Sequence, residues 1–490
     1  MNALRVTLTN RWAVFHCEPD EQACVKKFFR YQPAGSEFSS AYKEGGWDGY
    51  KNLMSRGRVA SGLFLAQRDA LAAEYELHVD DKRVWPGFRD CDMTTARDYQ
   101  FNCVENMVQA SNTGGIVLAA TGVGKTFIAA KYFSRMMGTG LFVVDELTLM
   151  EQQRLEIEEH LGERVGIVGG GKFSPKRITV ATVQTLARAR KKAEFRKWFE
   201  RVEVIIIDEV HVAINRRNID VIASVKPFAV FGMTATIELQ KEYVRMPIAA
   251  LCGPTVFTYS IQDGTDEGHL VEGIVGFVAY RDTLKGKPPG YWTKARHDGE
   301  IIDVFVKPWS REAAYRYRVA LSKDRNDCIE ALVREGLRRG HRVIVLVEHI
   351  DHLRVLSRRM RDITHRVLSG DKKLSGHPRD RIAALHDMDA GKIKLLLASR
   401  VFGKGVNVRT LSLVIDGSAM PGRNGAMQRY GRGVRTADGK KCLLYLDISD
   451  KGRFGGAAEA RERALLETGA KAMYVDWCGD AACVFDEIGG

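Results

Sequence analysis

Residues 116–126 read IVLAATGVGKT, an apolar run followed by an abrupt glycine-rich turn and then by Gly124, Lys125 and Thr126. The run has the composition of a buried parallel strand, and residues 127–132 continue with a pattern typical of a helix. A helix that begins at such a turn binds anions, because its first backbone N–H groups have no partner within the helix. This stretch therefore predicts a site for the phosphates of a nucleotide.

The residue types of the turn match the needs of a triphosphate. Gly122 and Gly124 allow the backbone to approach the phosphates closely, Lys125 reaches the β- and γ-phosphates, and the Thr126 hydroxyl binds Mg²⁺. ATP and Mg²⁺ are accordingly the expected ligands. A glycine turn that binds nothing is disfavoured, because the strand, the turn and the Lys-Thr pair occur together. The predicted nucleotide-binding residues of this loop are Thr121, Gly122, Val123, Gly124, Lys125 and Thr126.

Length and composition limit the kind of protein. A chain of 490 residues is too long for one ordinary core, and 45% hydrophobic with 28% charged residues is typical of soluble globular proteins. The sequence has no apolar run of about 20 residues and no apolar core near its start, so we expect a cytoplasmic protein associated with the nucleoid. The nine cysteines are scattered singly, which predicts neither disulfides nor a metal site of cysteines. A net charge of +13 favours nucleic acid as the partner.

Residues 1–92 are predicted to form a small α+β accessory domain that binds DNA junctions. Its segment 45–50 reads GGWDGY and places Trp47 in a turn between Lys43 and Lys51. Such a loop either stacks on a base or wedges at a strand junction. The alternative is a hairpin whose Trp47 packs into the core of the small domain.

Alternating strand and helix patterns then predict two α/β units with parallel sheets, over 93–262 and 263–455. In the first unit, the apolar run 204–207 ends in Asp208 and Glu209, at the edge where ligands bind in open α/β sheets. With a phosphate loop upstream, Asp208 is predicted to hold Mg²⁺ and Glu209 to orient and deprotonate the attacking water. Residues 281–310 are predicted to be an inserted loop, and 456–490 a C-terminal tail.

The second unit has no lysine-bearing phosphate loop. It has instead the segments 399–407, SRVFGKGVN, and 428–435, QRYGRGVR. Arg432 and Arg435 lie one helical turn apart, so both can point from one face toward a phosphate. Without the ATP site of the first unit, a basic surface helix would be the preferred interpretation.

In chain order, the segments ARDYQ, AATGVGKT, TVQTL, DEVH, TAT, VFGKGVNV and QRYGRGVR resemble the motif series of superfamily 2 helicases of the DExH type. Their order and placement carry the resemblance, which covers about residues 94–450. Ala119 also fits the phosphate loop of that superfamily, in which alanine takes the place of the first glycine. The region 251–270 and the Trp47 element further resemble phage UvsW-like DNA helicases and the related XPB and RadD-like group.

The resemblance implies two RecA-like lobes in tandem and a role for each matching residue. Arg97 and Gln100 would recognise adenine, and Gly405 and Asn407 would also contact the nucleotide. Catalysis would use Lys125, Asp208, Glu209, Gln428, Arg432 and Arg435, with the two arginines as fingers on the γ-phosphate and with Thr126 and Asp208 on Mg²⁺. Coupling to nucleic acid would use His211, Thr182, Gln184, Thr234, Thr236 and Trp47.

Two residues depart from the family pattern. Asp145 stands where related proteins usually have proline, and Asn407 stands where many have aspartate.

The function that the resemblance implies is an ATP-dependent DNA helicase or translocase acting on forked or branched DNA. The alternatives are the motor subunit of a restriction or repair nuclease complex, an RNA helicase, and a passive nucleic-acid-binding module.

Overall fold

The computed structural model describes residues 2–145, 147–189, 192–212, 219, 221–222, 225, 227–235, 241–281, 286, 288–297, 300–308, 310–371, 374, 378–399, 408–420 and 423–489. The chain forms two compact units, unit 1 from Met1 to Ser260 and unit 2 from Ile261 to Gly490. Both are α/β units built on parallel sheets, and unit 1 also contains a small N-terminal sheet. No helix in the described ranges is long and apolar enough to span a bilayer.

The N-terminal part of unit 1 is a four-stranded sheet in the order β5-β2-β1-β6, with short helices and a two-stranded β3-β4 pair. Strand β1 is antiparallel to β2 and parallel to β6. Its elements are β1 Asn2–Leu8, β2 Trp12–His16, α1 Pro19–Lys26, β3 Arg30–Tyr31, α2 Ser40–Lys43, β4 Lys51–Asn52, β5 Arg58–Ala60, α3 Ser61–Ala66, α4 Arg68–Ala72 and β6 Tyr75–Asp81.

The larger part of unit 1 is an eight-stranded sheet in the order β10-β9-β11-β8-β12-β13-β7-β14, parallel except for β10. Its elements are α5 Asp98–Gln109, β7 Gly114–Ala119, α6 Lys125–Arg135, β8 Gly140–Val144, α7 Leu147–Leu161, β9 Gly166–Gly169, β10 Lys172–Ser174, β11 Ile178–Thr182, α8 Val183–Ala189, α9 Ala193–Phe199, β12 Val204–Asp208, β13 Ala229–Thr234, α10 Glu242–Cys252 and β14 Thr255–Tyr259.

Strand register in this sheet brings distant segments to one edge. Asp208 of β12 is paired with Met233 of β13, and Thr234 of β13 is paired with Leu118 of β7. Because these strands are parallel, their carboxyl ends and the loops that follow them meet at the same edge. The phosphate loop, the Asp208-Glu209 pair and Thr234 are therefore neighbours.

The small N-terminal sheet shares its core with the larger part of unit 1. Met246 and Ala249 of α10 are buried in the same apolar cluster as the residues of β1, β2 and α3. A Cβ at Gly62 of α3 would lie 2.6 Å from Ala249 O, so the two helices are packed backbone against backbone. Asn10 Nδ2 donates to carbonyl oxygens of Val84 and Asn112, at 2.6 and 2.9 Å. These contacts fix the accessory domain on the first RecA-like lobe.

Unit 2 is built on a seven-stranded parallel sheet in the order β19-β20-β18-β21-β22-β15-β23. Its elements are α11 Ile261–Asp266, β15 Glu272–Tyr280, β16 Tyr291–His297, β17 Glu300–Val306, α12 Arg311–Tyr315, α13 Lys323–Arg338, β18 Val343–Leu346, α14 Ile350–Arg359, β19 His365–Leu368, α15 Pro378–Asp389, β20 Leu395–Ala398, β21 Leu413–Asp416, α16 Arg423–Gly433, β22 Cys442–Asp450, α17 Gly455–Leu466, β23 Lys471–Asp476 and α18 Ala481–Ile488.

Two stretches of unit 2 that have no clear pattern in the sequence have regular structure. The inserted region contains an antiparallel hairpin, β16-β17, in which Trp292 is paired with Phe305 and is 70% exposed. The last residues add β23 beside β15 and α18 on the core, where Val484, Phe485 and Ile488 are buried. The C-terminal residues thus extend the sheet of this lobe.

Candidate nucleotide-binding and catalytic site

The phosphate loop connects β7 to α6 at the carboxyl edge of the unit 1 sheet. Its two glycines have left-handed backbones, with φ of 96° at Gly122 and 85° at Gly124, which residues with a Cβ rarely adopt. A Cβ at Gly124 would also lie 2.7 Å from the side-chain nitrogen of Gln100. The conformation of the loop therefore requires both glycines.

Helix α5 holds the loop through two hydrogen bonds to one carbonyl oxygen. The Tyr99 hydroxyl donates to Val123 O at 2.7 Å, and Gln100 Nε2 donates to the same oxygen at 3.0 Å. Gln100 Oε1 accepts from the Arg97 backbone N–H at 3.0 Å, so both ends of its carboxamide contact backbone. The structure thus places Gln100 against the phosphate loop, while adenine recognition by Arg97 and Gln100 stays a prediction. Tyr99, which lies in the same ARDYQ segment, is an additional supporting residue.

Two hydroxyls of the loop differ in their contacts. Thr126 Oγ1 donates to Gln153 Oε1 of α7 at 2.8 Å, so this hydroxyl is already oriented by protein. Thr121 Oγ1 is buried and has no hydrogen-bond partner among the described residues. A buried hydroxyl without a partner costs about 1–3 kcal/mol, and a phosphate oxygen would satisfy it. This orphaned hydroxyl fits a loop that binds an anion.

The charged centre of the site lies where β12 and β13 end. Lys125 Nζ is 3.6 Å from Glu209 Oε1, and Thr234 Oγ1 donates to Glu209 Oε2 at 3.1 Å. His211 Nδ1 is 3.3 Å from Glu209 Oε2 and 3.1 Å from Thr234 Oγ1. The Glu209 carboxylate therefore has one oxygen toward the phosphate loop and the other toward a Thr-His pair. This arrangement can orient a water molecule and accept its proton.

The backbone at this point is strained. Glu209 has a φ of 50°, a conformation that costs a residue with a Cβ about 1–3 kcal/mol. Its backbone N–H donates to Asp208 Oδ1 at 3.1 Å, which helps to hold the turn. Together with the Thr126 hydroxyl, the Asp208 carboxylate offers the oxygen ligands that Mg²⁺ prefers. The residues present therefore fit a magnesium nucleotide.

Two predicted coupling residues lie at the same edge, Thr182 as the last residue of β11 and Gln184 in the first turn of α8. Thr182 Oγ1 lies 2.8 Å from Thr185 Oγ1, and Gln184 Nε2 donates to Asp145 Oδ1 at 3.2 Å. Asp145, the residue that replaces the usual proline, follows β8, which is paired with β11. The structure therefore joins the TVQTL segment to the loop after β8 by a side-chain contact.

Trp47 lies in a loop that its own contacts close. Its indole Nε1 donates to Tyr50 O at 2.8 Å, and the Tyr50 N–H donates to Asp48 Oδ1 at 3.0 Å. Trp47 is half-buried, whereas Phe38 and Tyr42, shortly before it, are 73% and 40% exposed. The exposed aromatic surface of this region is thus formed by Phe38 and Tyr42, which no motif in the sequence distinguishes.

In unit 2, Gln428 and Arg432 lie on α16 and Arg435 follows its end. Three other predicted residues, Thr236, Gly405 and Asn407, lie outside the described residues.

Arg429, which lies between the predicted residues Gln428 and Arg432, has a different role. Arg429 Nη2 lies 2.8 Å from Asp416 Oδ2, which also accepts from the Tyr445 hydroxyl at 2.6 Å. Burial alone would raise the pKa of Asp416, but the guanidinium of Arg429 brings this pKa below its usual value.

Two family models and several known helicases are similar to this chain. Residues 93–239 match the family model described as "Type III restriction enzyme, res subunit", and residues 324–437 match the "Helicase conserved C-terminal domain". The DNA 3'-5' translocase XPB2 of Sulfurisphaera tokodaii is 26% identical over 404 residues, which span 77% of this chain and 86% of that protein. The ATP-dependent DNA helicase uvsW of Enterobacteria phage T4 is 21% identical over 481 residues, 89% of this chain and 88% of that protein.

Among solved structures, S. cerevisiae Dbp5 bound to RNA and ADP BeF3 has a TM-score of 0.54 at 12% identity, covering 81% of this chain and 95% of Dbp5. This likeness supports the fold, with two RecA-like lobes. Two further relatives, the DNA 3'-5' helicase XPB of Kineococcus radiotolerans and the DNA 3'-5' helicase named Rad25 of Halobacterium salinarum, are longer, and the match spans 64% and 58% of their lengths.

Proposed function

We propose that the chain is a superfamily 2 helicase related to UvsW and XPB, and that it works as an ATP-dependent DNA translocase acting on forked or branched DNA. The observation that carries the proposal is the Glu209 carboxylate, which lies between Lys125 and the Thr234-His211 pair. A carboxylate in this position beside a phosphate loop suits ATP hydrolysis.

The proposed chemistry assigns one task to each side of this carboxylate. Lys125 holds the phosphates, and Glu209 orients the attacking water and takes its proton. When bound, ATP supplies the bond that is broken and Mg²⁺ neutralises the charge that develops on the phosphates. Thr234, the first residue of the TAT segment, and His211 both contact Glu209, so a change in the charge of Glu209 would act directly on that segment. We propose that Arg432 and Arg435 act as the arginine fingers and Gln428 as their neighbour at the γ-phosphate.

For the N-terminal domain we propose contact with the branch of the DNA. The supporting features are the exposed rings of Phe38 and Tyr42 and the exposed basic residues Lys43 and Lys51 around the same loop. Aromatic rings stack on bases, each worth about 1–3 kcal/mol, and lysines attract phosphates. Because this domain is fixed on the first lobe, it would hold the DNA branch at a constant position relative to that lobe.

Deleting residues 1–92 would be a poor test of this idea. The deletion would expose Met246 and Ala249 of α10, which are 1% and 2% exposed in the intact unit. Loss of activity would then follow from loss of packing. Substitutions at the exposed rings leave the core intact and isolate the contact with DNA.

The test is one ATPase titration of the full chain with single-stranded DNA, duplex, fork, four-way junction and RNA. We expect DNA to stimulate turnover more than RNA, with the fork or the four-way junction as the best activator. The double variant Phe38→Ala, Tyr42→Ala should lose that preference, raising the activation constant for branched DNA about 10-fold or more.

A matched control is Tyr474→Ala, since Tyr474 is 62% exposed in unit 2, far along the chain from the loop. Equal activation by fork and single strand in the wild type would contradict the branched substrate. Stimulation by RNA alone would identify an RNA helicase, and absence of any stimulation would favour a passive binding module.

A further inference from the structure

Lys440 contacts the backbone of two parts of unit 2, the end of α16 and the segment at Arg409. It follows the turn after α16, five residues beyond Arg435, and its backbone N–H donates to Ala437 O at 3.1 Å. Its side chain turns back to the helix and is half-buried. No motif in the sequence distinguishes it from the neighbouring Lys441, which is exposed.

The ammonium group has a carbonyl oxygen for each of its three protons. Lys440 Nζ donates to Arg435 O at 2.8 Å and to Arg409 O at 3.2 Å, and it also donates to Gly433 O. An ammonium has three donors and no acceptor, so these bonds use its full capacity. The C-terminal carbonyls of a helix lack partners within the helix and carry partial negative charge, which a cation stabilises.

The three carbonyls belong to two different segments. Gly433 and Arg435 flank the end of the arginine-bearing helix, with Arg432 directly before Gly433. Arg409 lies just after residues 401–408, VFGKGVNV, and its neighbour Thr410 donates through both N–H and hydroxyl to Asp389 Oδ1, at 3.1 and 2.8 Å. Lys440 therefore ties the end of α16 to a segment that is itself anchored on α15.

We propose that Lys440 is a positioning residue for ATP hydrolysis, whose charged ammonium fixes the backbone from which Arg432 and Arg435 extend. This inference rests on the proposed function of those arginines. Lys440 does not touch the nucleotide in this scheme; it holds the carbonyl of Gly433, which follows Arg432, and the carbonyl of Arg435 itself. Misplacing a catalytic group by about 1 Å can cost about 10²-fold in rate, so a tie of this kind has a measurable effect.

The charge of Lys440 depends on pH within an accessible range. The pKa of Lys440 is lowered to about 8, mainly by burial and also by the positive charge of Arg435, while Cys442 and Asp389 act in the opposite direction. The side chain is therefore charged at neutral pH and becomes neutral as the pH rises through about 8. A neutral amine has one proton fewer and turns a lone pair toward a carbonyl, so the tie weakens.

The experiment compares full-length wild type with Lys440→Met, Lys440→Arg and the control Lys441→Met in DNA-stimulated ATPase assays between pH 6.5 and 9.5. Lys440→Met should reduce kcat about 10- to 100-fold at neutral pH while KM for ATP changes little, because the arginines act on the transition state. Lys440→Arg should restore most of kcat, since it keeps the charge, and Lys441→Met should equal the wild type.

The pH profile separates positioning from mere stability. Wild-type kcat should fall as the pH rises through about 8, and the profile of Lys440→Arg should lack that step because guanidinium stays charged. Thermal melting at each pH shows whether Lys440→Met is folded; the comparison of wild type with Lys440→Arg holds even if it is not. Identical pH profiles for these two proteins, or unchanged kcat in a folded Lys440→Met, would overturn the inference alone. A wild type without DNA-stimulated ATPase at any pH would overturn the proposed function, and this inference with it.

Discussion

The carboxyl edges of the two parallel sheets both have acidic residues at strand ends, but the two edges differ in burial and pairing. In unit 1, the Glu209 side chain is 25% exposed and shares its oxygens among Lys125, Thr234 and His211. In unit 2, Asp416 and Asp447 are adjacent across β21 and β22, and both side chains are 0% exposed. Each of them is paired with a guanidinium.

A carboxylate near the end of a strand is therefore a candidate site only when its surroundings leave it accessible. Arg461 Nε and Nη2 contact the two oxygens of Asp447 at 2.6 and 2.9 Å, and Arg325 holds Asp450 in the same two-point manner at 2.8 and 3.0 Å. These pairs are buried, with side-chain exposures of 0% to 6%, so a ligand cannot reach them. Glu209, with one oxygen toward Lys125 at a looser 3.6 Å, remains accessible to a ligand.

The largest expected effect comes from α16. In this helix Arg429, which is paired with the buried Asp416, lies three residues before the predicted arginine finger Arg432. Arg432→Ala should lower DNA-stimulated kcat by about 10³- to 10⁵-fold with ATP binding retained, since an arginine finger acts mainly in the transition state. Steady-state ATPase and binding of a fluorescent ATP analogue measure the two quantities. The control Arg463→Ala removes an arginine that is 77% exposed and should leave both unchanged. Turnover within a few-fold of wild type in Arg432→Ala would remove this arginine from the catalytic set.

The next effect tests the accessible edge of unit 1. Glu209→Gln should reduce kcat by about 10²- to 10⁴-fold, because the amide cannot accept the proton from water. Its melting temperature should stay near that of the wild type, because the charge is removed from a partly exposed site, where its loss costs little folding free energy. A large loss of stability in Glu209→Gln would mean that the two edges are alike after all.

The buried edge of unit 2 should show the opposite result. Arg461→Met leaves the Asp447 carboxylate buried without its partner, which costs about 3–5 kcal/mol of folding free energy. Urea unfolding followed by circular dichroism measures this loss. Arg463→Met, on the exposed face of the same helix α17, should unfold at nearly the wild-type urea concentration. Equal midpoints for the two variants would refute a structural role for the Arg461-Asp447 pair.

The smallest effect concerns the support of Glu209. Thr234→Val removes the hydroxyl that donates to Glu209 Oε2 while it keeps the volume of the buried side chain. We expect a decrease in kcat of about 10-fold, corresponding to one lost hydrogen bond to a charged group. The reference is Thr265→Val, which removes a hydroxyl that donates to Ile261 O within α11. If Thr234→Val has wild-type kcat, Thr234 does not orient the carboxylate.

Much of the fold follows from local patterns in the sequence. The apolar runs before the phosphate loop and before Asp208 are β7 and β12, and the alternation of strands and helices is that of two parallel sheets. These features are readable because each depends on residues within one element. That Lys125 lies near Asp208 and Glu209 was predictable for another reason: the carboxyl ends of parallel strands share an edge.

Other features depend on contacts between distant parts of the chain and have no local signal. The regular structure of the last residues arises because β23 pairs with β15, which lies about two hundred residues earlier. Gln100 donates a hydrogen bond to Val123 O because α5 packs on the phosphate loop. The position of Gln100 in the sequence does not reveal this contact. Arg429 lies between Gln428 and Arg432 in a motif, yet it turns to the core because Asp416 and Tyr445 are there.

By itself, the sequence determined the phosphate loop, the acidic pair after a central strand and the order of the motifs, because short-range spacing fixes which side chains an element presents at its end. Three features depend on tertiary contacts: which charges remain accessible, how the accessory domain is held on the first lobe, and how Lys440 binds the carbonyls at the end of α16. The physical reason is that burial sets the cost of leaving a charge unpaired, and burial is a property of the assembled sheet and helices.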